Sequence, residues 1–211
     1  MVVNPCFSFL TPYKPAPAGQ DTVAAGASGF TVRAAQVQDL STLAEVLADS
    51  FHSRTGFMGW VYPMLRLGIY EDLRNRLRSA SPHYLCLVAV PGVGAIANSS
   101  DKLVGTVEIA LRSPPSWQLR SSQYPYISNL AVSQSCRRQG VAKQLLLACE
   151  RTAIEWGFSD IYLHVLENNH QARQLYLKAG YQLHQAEPNY SGWLFGNPRR
   201  LFLHKRLTAA A

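Results

Sequence analysis

The sequence predicts an α/β (α+β) domain with a mixed sheet flanked by helices. Three observations predict it. Short β-prone runs are interspersed with segments of helical period. Their order reads β-α-α-β-β-β-α-β-α-β-β, which suits helices covering a sheet. One strand also runs through a basic, Gly-containing turn straight into the clearest helix of the chain.

Taken in order, Phe30 to Ala34 is short and β-prone. Leu40, Leu43, Leu47 and Phe51 recur at helical spacing, which predicts a helix over 39–50 with Gln38 or Asp39 near its cap. Residues 52–63 are aromatic and Gly-punctuated and suit an ordered loop, and 64–77 is helical again. Residues 83–90 and 102–112 read as strands around a turn region at 91–101, and 124–133 as another strand. Val141, Leu145, Ala148, Cys149, Thr152 and Trp156 lie on one stripe of a helix over 140–156. Residues 160–166 form a strand whose alternation puts Tyr162, His164 and Leu166 on one face. A helix at 170–179 and strands at 181–185 and 201–207 complete the order, the last two separated by a Pro/Gly/aromatic loop.

The 211 residues are 47% apolar and 16% charged, which excludes a wholly disordered chain, a coiled coil and a charge-rich tail protein. Residues 1–29 differ: Pro5, Pro12, Pro15 and Pro17 precede an Ala/Gly/Ser tract that cannot bury enough apolar area to offset its ordering entropy. They read as a disordered tail ahead of a domain at 30–207, with a short tail at 208–211. The cysteines fit a reducing compartment, and no basic n-region leads into an apolar stretch with a small-residue cleavage site, so a cytoplasmic protein is expected. The alternative is a remnant of a transit peptide, which would place the protein in the plastid stroma, although 1–29 contains no Arg. No apolar run reaches the roughly 20 residues that span a bilayer, so no membrane association is expected.

The formal charge of +7 points to an anionic partner. It is uneven: residues 1–105 carry 8 Lys/Arg and 7 Asp/Glu, and residues 106–211 carry 12 and 6. The positive surplus therefore lies in the second half. Nucleic acid is not expected, because helix-turn-helix, zinc-finger and RRM signatures are missing and Arg199, Arg200, Lys205 and Arg206 make too short a cluster. Cys6, Cys86, Cys136 and Cys149 have no metal-type spacing with histidines, so no metal is expected. Cys86 and Cys149 read as buried thiols and Cys136 as more exposed.

The central feature is Arg137-Arg138-Gln139-Gly140-Val141-Ala142, with Lys143 just beyond. A strand-to-helix turn with a Gly aims backbone N–H groups at one spot, and the helix start adds unsatisfied donors and a positive dipole end. Such a cradle suits a pyrophosphate. It is neither a Walker A loop nor a dinucleotide fingerprint.

These residues resemble the GNAT acetyltransferases. Arg137, Gly140 and Ala142 match the family's Gln/Arg-x-x-Gly-x-Gly/Ala signature, and Ile127 to Val132 its apolar fourth strand. Asn169 to Tyr181 is similar to its Asn-x-x-Ala-x-x-Leu-Tyr-x-Lys-x-Gly-Phe/Tyr segment. The resemblance covers roughly residues 30–206 and is sharpest over 126–181. It implies a mostly antiparallel sheet of about six to seven strands with a V-shaped splay between strands four and five. The chain also looks like the plastid and cyanobacterial branch, whose members acetylate protein N-termini and lysines. Some relatives act on arylalkylamines such as serotonin.

The resemblance implies acetyl-CoA as co-substrate. Backbone amides of Arg138, Gln139, Gly140, Val141, Ala142 and Lys143 would wrap its pyrophosphate. The edge of strand four at Leu130, Ala131 and Val132 would pair with the pantetheine arm, while Asn169 and Ala172 would face it from the next helix. Tyr176 matches the tyrosine that protonates the departing sulfur. His164 and Tyr126 resemble a strand-five histidine and a strand-four tyrosine that draw the proton from the acceptor amine. Glu108, which interrupts the apolar run 104–111, is the rival base or else a solvent-facing strand residue. A base is needed because amines of pKa about 8 to 10.4 are protonated at neutral pH and cannot attack a thioester.

Phe57, Trp60 and Tyr190 lie in the two loops that flank the acceptor in the family. They suit a peptide backbone or an aromatic amine. The resemblance to that branch implies a protein or peptide amine as acceptor (N-terminal α-amine, Lys ε-amine or both), with direct attack in a ternary complex. The alternative is a small amine: an arylalkylamine or a polyamine. A monomer or homodimer is expected. An acyl-CoA sensor without catalysis is the reading that Tyr176 and His164 argue against.

Overall fold

The computed structural model describes residues 29–51, 62–79, 81–92, 103–113, 123–186 and 198–208. Most of the N-terminal tail, the C-terminal residues 209–211, and Phe57, Trp60 and Tyr190 lie outside them. The described strands are β1 (Phe30–Ala34), β2 (Tyr84–Pro91), β3 (Gly105–Arg112), β4 (Tyr124–Val132), β5 (Asp160–Leu166), β6 (Gln182–Ala186) and β7 (Arg200–Arg206). The helices are α1 (Leu40–Phe51), α2 (Tyr62–Arg78), α3 (Val141–Glu155) and α4 (His170–Lys178). The α/β class and the element order of the sequence reading are both met.

Boundaries differ where local bonding decides them. A 3-10 turn at Val37–Asp39 precedes α1, because Asp39 accepts from the Gln36 amide at 2.7 Å and from Arg33 at 2.6 and 3.0 Å. Strand β6 starts one residue later than expected: the Tyr181 amide bonds the Tyr176 carbonyl and belongs to the end of α4.

The strands form one sheet in the order β1-β2-β3-β4-β5-β7-β6. Neighbours pair antiparallel except β4 and β5, which are parallel. Pairing between β4 and β5 is confined to Tyr126↔Tyr162 and Ile127↔Leu163, although both strands continue past these residues. Beyond them the strands part, and this is the splay that the resemblance implies.

Two cores hold the sheet. On one face, Val141, Leu145, Leu146 and Cys149 of α3 pack on Val107, Ile109, Ile127, Ile161 and Leu163. On the other, Leu40, Leu43 and Leu47 of α1 and Leu73 of α2 pack on Cys86, Val88 and Ala131. Each fully buried aliphatic side chain here contributes roughly 1.5–3 kcal/mol. Gly105 lets β3 approach both neighbours, since a Cβ there would meet the Ala131 carbonyl oxygen at 3.0 Å and Val141 and Leu145 at 3.1 Å. Cys86 and Cys149 are buried as expected, and burial pushes the Cys86 thiol up to about 12.

Candidate active site

The turn between β4 and α3 is built by backbone conformation. Arg138 has φ 65° and Gly140 φ 88°, both left-handed. Alternation between such residues and ordinary ones turns successive N–H groups toward one side. Gly140 is the N-cap of α3 and supplies no side-chain hydrogen bond, so no side-chain cap competes for the amides of the first turn. A Cβ at Gly140 would stand in open space, so glycine is favoured here by its φ and the space above it is left for a ligand. The surrounding cavity measures about 320 Å³ and is lined by Arg137, Arg138, Val141, Ala142, Lys143, Gln171 and Lys178, among others.

The basic side chains divide their work. Arg137 Nε donates to the Val132 carbonyl at 3.2 Å and ties the turn to the end of β4, while Gln139 Nε2 donates to the Ser135 carbonyl at 3.1 Å. Arg138 and Lys143 have no ion-pair partner among the described residues and remain for an anionic ligand. Donor set, open space and charge all fit the phosphates of a CoA-type molecule.

A second cavity of about 350 Å³ occupies the parting of β4 and β5. Its walls are Tyr126 to Leu130 of β4, His164 to Leu166 of β5, Asn169, Ala172 and Tyr176 at α4, and Arg200. Ala172 belongs to both cavities, so the cradle and the slot adjoin at the start of α4. Asn169 caps α4, its side-chain oxygen accepting from the Ala172 amide at 3.1 Å. Of the anticipated strand-four residues, Leu130 lines the slot, Val132 lines the cradle and Ala131 is buried toward α1.

Three anticipated side chains meet in the slot. Tyr126 Oη and His164 Nδ1 are 2.9 Å apart, and Tyr126 is 5% exposed. Tyr176 lines the same cavity, and burial, with a contribution from neighbouring Tyr126, pushes its phenol up to about 12.

Glu108 is 1% exposed, so the solvent-facing alternative does not hold. One carboxylate oxygen accepts from Arg76 Nη1 at 2.9 Å and the other from Asn129 Nδ2 at 2.7 Å. Burial by itself would lower the Arg76 guanidinium, but the carboxylates of Glu108 and Asp72 outweigh it and hold it above its ordinary value.

Several neighbours of the pair escape sequence reasoning. Arg112 places its guanidinium carbon 3.6 Å from the Tyr126 ring centroid. Phe202 stacks on His164 with centroids 4.6 Å apart and on Tyr162 at 5.2 Å. Tyr124 meets Tyr162 edge-on at 5.1 Å, and His184 meets Phe202 at 5.5 Å. A face of rings therefore extends from His164 across β5, β7 and β6. Alternation in 201–207 was the available signal for Phe202, but only strand pairing places it beside His164.

Among the described residues no helix is long and apolar enough to cross a membrane. The model of the acetyltransferase (GNAT) family matches residues 50–181. The chloroplastic GCN5-related N-acetyltransferase 10 of Arabidopsis thaliana is 32% identical over 169 residues, covering 77% of this chain and 66% of that protein. The chloroplastic GCN5-related N-acetyltransferase 5 of the same plant is 29% identical over 164 residues, covering 72% and 51%. The chain thus spans less than two thirds of the length of these curated relatives, by a narrow margin for the first. Among solved structures, the PaiA N-acetyltransferase of Thermoplasma acidophilum in complex with coenzyme A aligns with a TM-score of 0.61 and 20% identity, covering 84% of this chain and 98% of that one. A chain of the NatC complex bound to Gag peptide and CoA aligns with a TM-score of 0.61 and 14% identity, covering 85% and 99%. At these identities the structural likeness is one of fold.

Proposed function

The chain belongs to the acetyltransferase (GNAT) family, and we propose that it moves the acetyl group of acetyl-CoA directly to a primary amine of a protein: an N-terminal α-amine, a Lys ε-amine or both. The observation that carries this reading is the Tyr126–His164 pair at the parting of β4 and β5, with Tyr176 on the wall of the same cavity.

Acetyl-CoA supplies an activated thioester. Arg138, Lys143 and the uncapped amides of α3 bind its phosphates, and the edge of β4 beyond Ile127, left unpaired by the splay, takes the peptide-like pantetheine arm. The acceptor amine must lose a proton before it attacks the carbonyl carbon. Tyr126 Oη hands that proton on to His164 Nδ1, 2.9 Å away, so that it ends on an imidazole, a group suited to this work at neutral pH. As the C–S bond breaks, the sulfur gains charge. A phenol held near 12 is protonated throughout the working range but is a weaker acid than the thiol. Tyr176 therefore acts first as a hydrogen-bond donor to the sulfur; as charge builds it passes its proton on and is reprotonated by the second proton, which the nitrogen sheds once it has bonded the carbonyl carbon.

Support for a protein acceptor comes from the fold shared with the NatC chain, which was solved with a Gag peptide. The relatives named chloroplastic favour the plastid over the cytoplasm. One observation favours the second reading, a small aromatic amine: the ring face of Tyr124, Tyr162 and Phe202 begins at His164 and suits a flat aromatic group.

The test is incubation with acetyl-CoA and three acceptors: peptides with only the N-terminus free, peptides with only lysines free, and aromatic amines. Thiol release and mass spectrometry identify the acetylated site. Turnover confined to aromatic amines overturns the protein reading. Tight CoA binding with no turnover on any of the three overturns the catalytic reading.

A further inference from the structure

We infer that Glu108 is a positioning residue: with Arg76 it grips Asn129 and holds the bulge in β4 that parts this strand from β5. The inference rests on the proposed use of the slot for acetyl-CoA.

The bulge is visible in the register. Thr106 faces Ala131 and Glu108 faces Ser128, so Asn129 and Leu130 together stand opposite Val107 alone. Two residues against one make a β-bulge, which bends its strand and ends regular pairing. The bulge begins two residues past Ile127, the last β4 residue paired with β5. The bend therefore lies where the slot opens.

The bulge needs a restraint, since Asn129 has φ 53°. Asparagine visits this region more readily than most residues but still at a cost. Asn129 spends its side-chain N–H on Glu108 at 2.7 Å, a charge-assisted hydrogen bond. Glu108 is in turn fixed by Arg76 at 2.9 Å, and Arg76 by Asp72 one helical turn earlier at 2.7 Å. The chain of contacts runs from α2 through β3 to the bend in β4.

The same contacts argue against Glu108 as the base. A base must present a lone pair to the proton it removes. Here both carboxylate oxygens are engaged and the residue is 1% exposed. Tyr126 and His164 already occupy the slot with their own titratable atoms.

Three variants test the inference. Glu108→Gln keeps an acceptor for Asn129 and removes the carboxylate. Glu108→Ala removes both. Asn129→Gly tolerates the positive φ and removes only the donor, and it keeps the test alive if Glu108→Ala fails to fold. The measurements are CoA affinity by calorimetry, hydrogen exchange at the amides of residues 129–131 in the free protein, and the pH profile of kcat/KM. Positioning predicts that Glu108→Ala and Asn129→Gly bind CoA on the order of tenfold more weakly, the loss of about one charge-assisted hydrogen bond. Both exchange faster at 129–131, while Glu108→Gln, which keeps one acceptor for Asn129 but turns an N–H toward Arg76, loses less CoA affinity than Glu108→Ala and keeps the wild-type pH profile. The inference is overturned if Glu108→Gln loses turnover with CoA affinity and exchange intact, which would make Glu108 the base. Unchanged CoA affinity and exchange in both other variants also overturns it. Should wild type fail to bind CoA, the proposed function falls, and exchange in the free protein still decides whether Glu108 holds the bulge.

Discussion

Tyr126 Oη lies 2.9 Å from His164 Nδ1, across two strands that are hydrogen-bonded only at this level. The pair sits where pairing ends and the cavity begins. Pairing between β4 and β5 at Tyr126 and Ile127 sets the register of the two side chains, and the parting beyond it opens the cavity that they line.

The pair should behave as one unit. His164→Ala is expected to lower kcat/KM by about a hundredfold or more, and Tyr126→Phe by less. The double variant should be hardly worse than His164→Ala alone, because coupled residues are not additive. The acid limb of the wild-type pH profile should vanish in His164→Ala. Steady-state kinetics between pH 5.5 and 9, about a unit or more on either side of an ordinary imidazole pKa, would settle it, and additive losses would refute a shared role.

Tyr176→Phe should lower kcat by about tenfold to a hundredfold and leave CoA affinity alone, since the donor acts on charge that develops during C–S cleavage. Burial raises this phenol from 10.0 to about 12 in the folded protein. Its stability contribution is therefore full below the unfolded value and is lost as pH rises from about 10 toward 12. The variant should melt with a shallower alkaline slope than wild type, which differential scanning fluorimetry would show.

The cradle should respond to backbone and charge separately. Gly140→Ala forces a side chain into φ 88° at a cost of about 1–2 kcal/mol and places a methyl group where a phosphate would lie. CoA binding should weaken by about tenfold or more at any ionic strength. Arg138→Ala and Lys143→Ala should weaken it mainly at low salt. Calorimetry at two salt concentrations separates the two effects.

Asp39 should set part of the acid stability. Burial would raise its carboxyl, but Arg33 and the Gln36 amide outweigh it and hold it below 3.8. A depressed carboxyl contributes stability above its unfolded pKa that is lost as pH falls through the folded value. Asp39→Asn should therefore cost about 2 kcal/mol near neutrality and flatten the loss of stability below about pH 4. Urea melts at pH 7 and pH 3.5 would compare the two proteins.

Much of this architecture is legible in local pattern. The stripe from Val141 to Thr152 becomes the buried face of α3 because a helix with one apolar side has one way to bury it. Alternation in 160–166 places Tyr162 and His164 together because strand side chains alternate strictly. The basic turn is readable because its conformation depends on a glycine and on residues adjacent to it at a helix start. Glu108 was not readable: a carboxylate in an apolar strand looks the same whether it meets water, a substrate or an arginine on another element. Arg76 is 32 residues away and Asn129 is 21.

The sequence by itself determined the elements, their order, the cradle and the family, because these depend on residues close together in the chain. Only the tertiary structure decided the partners: Tyr126 with His164, Phe202 behind the imidazole, and Glu108 between Arg76 and Asn129. The physical reason is register. Which side chains meet across a sheet depends on where pairing begins, bulges and stops, and no single segment encodes that.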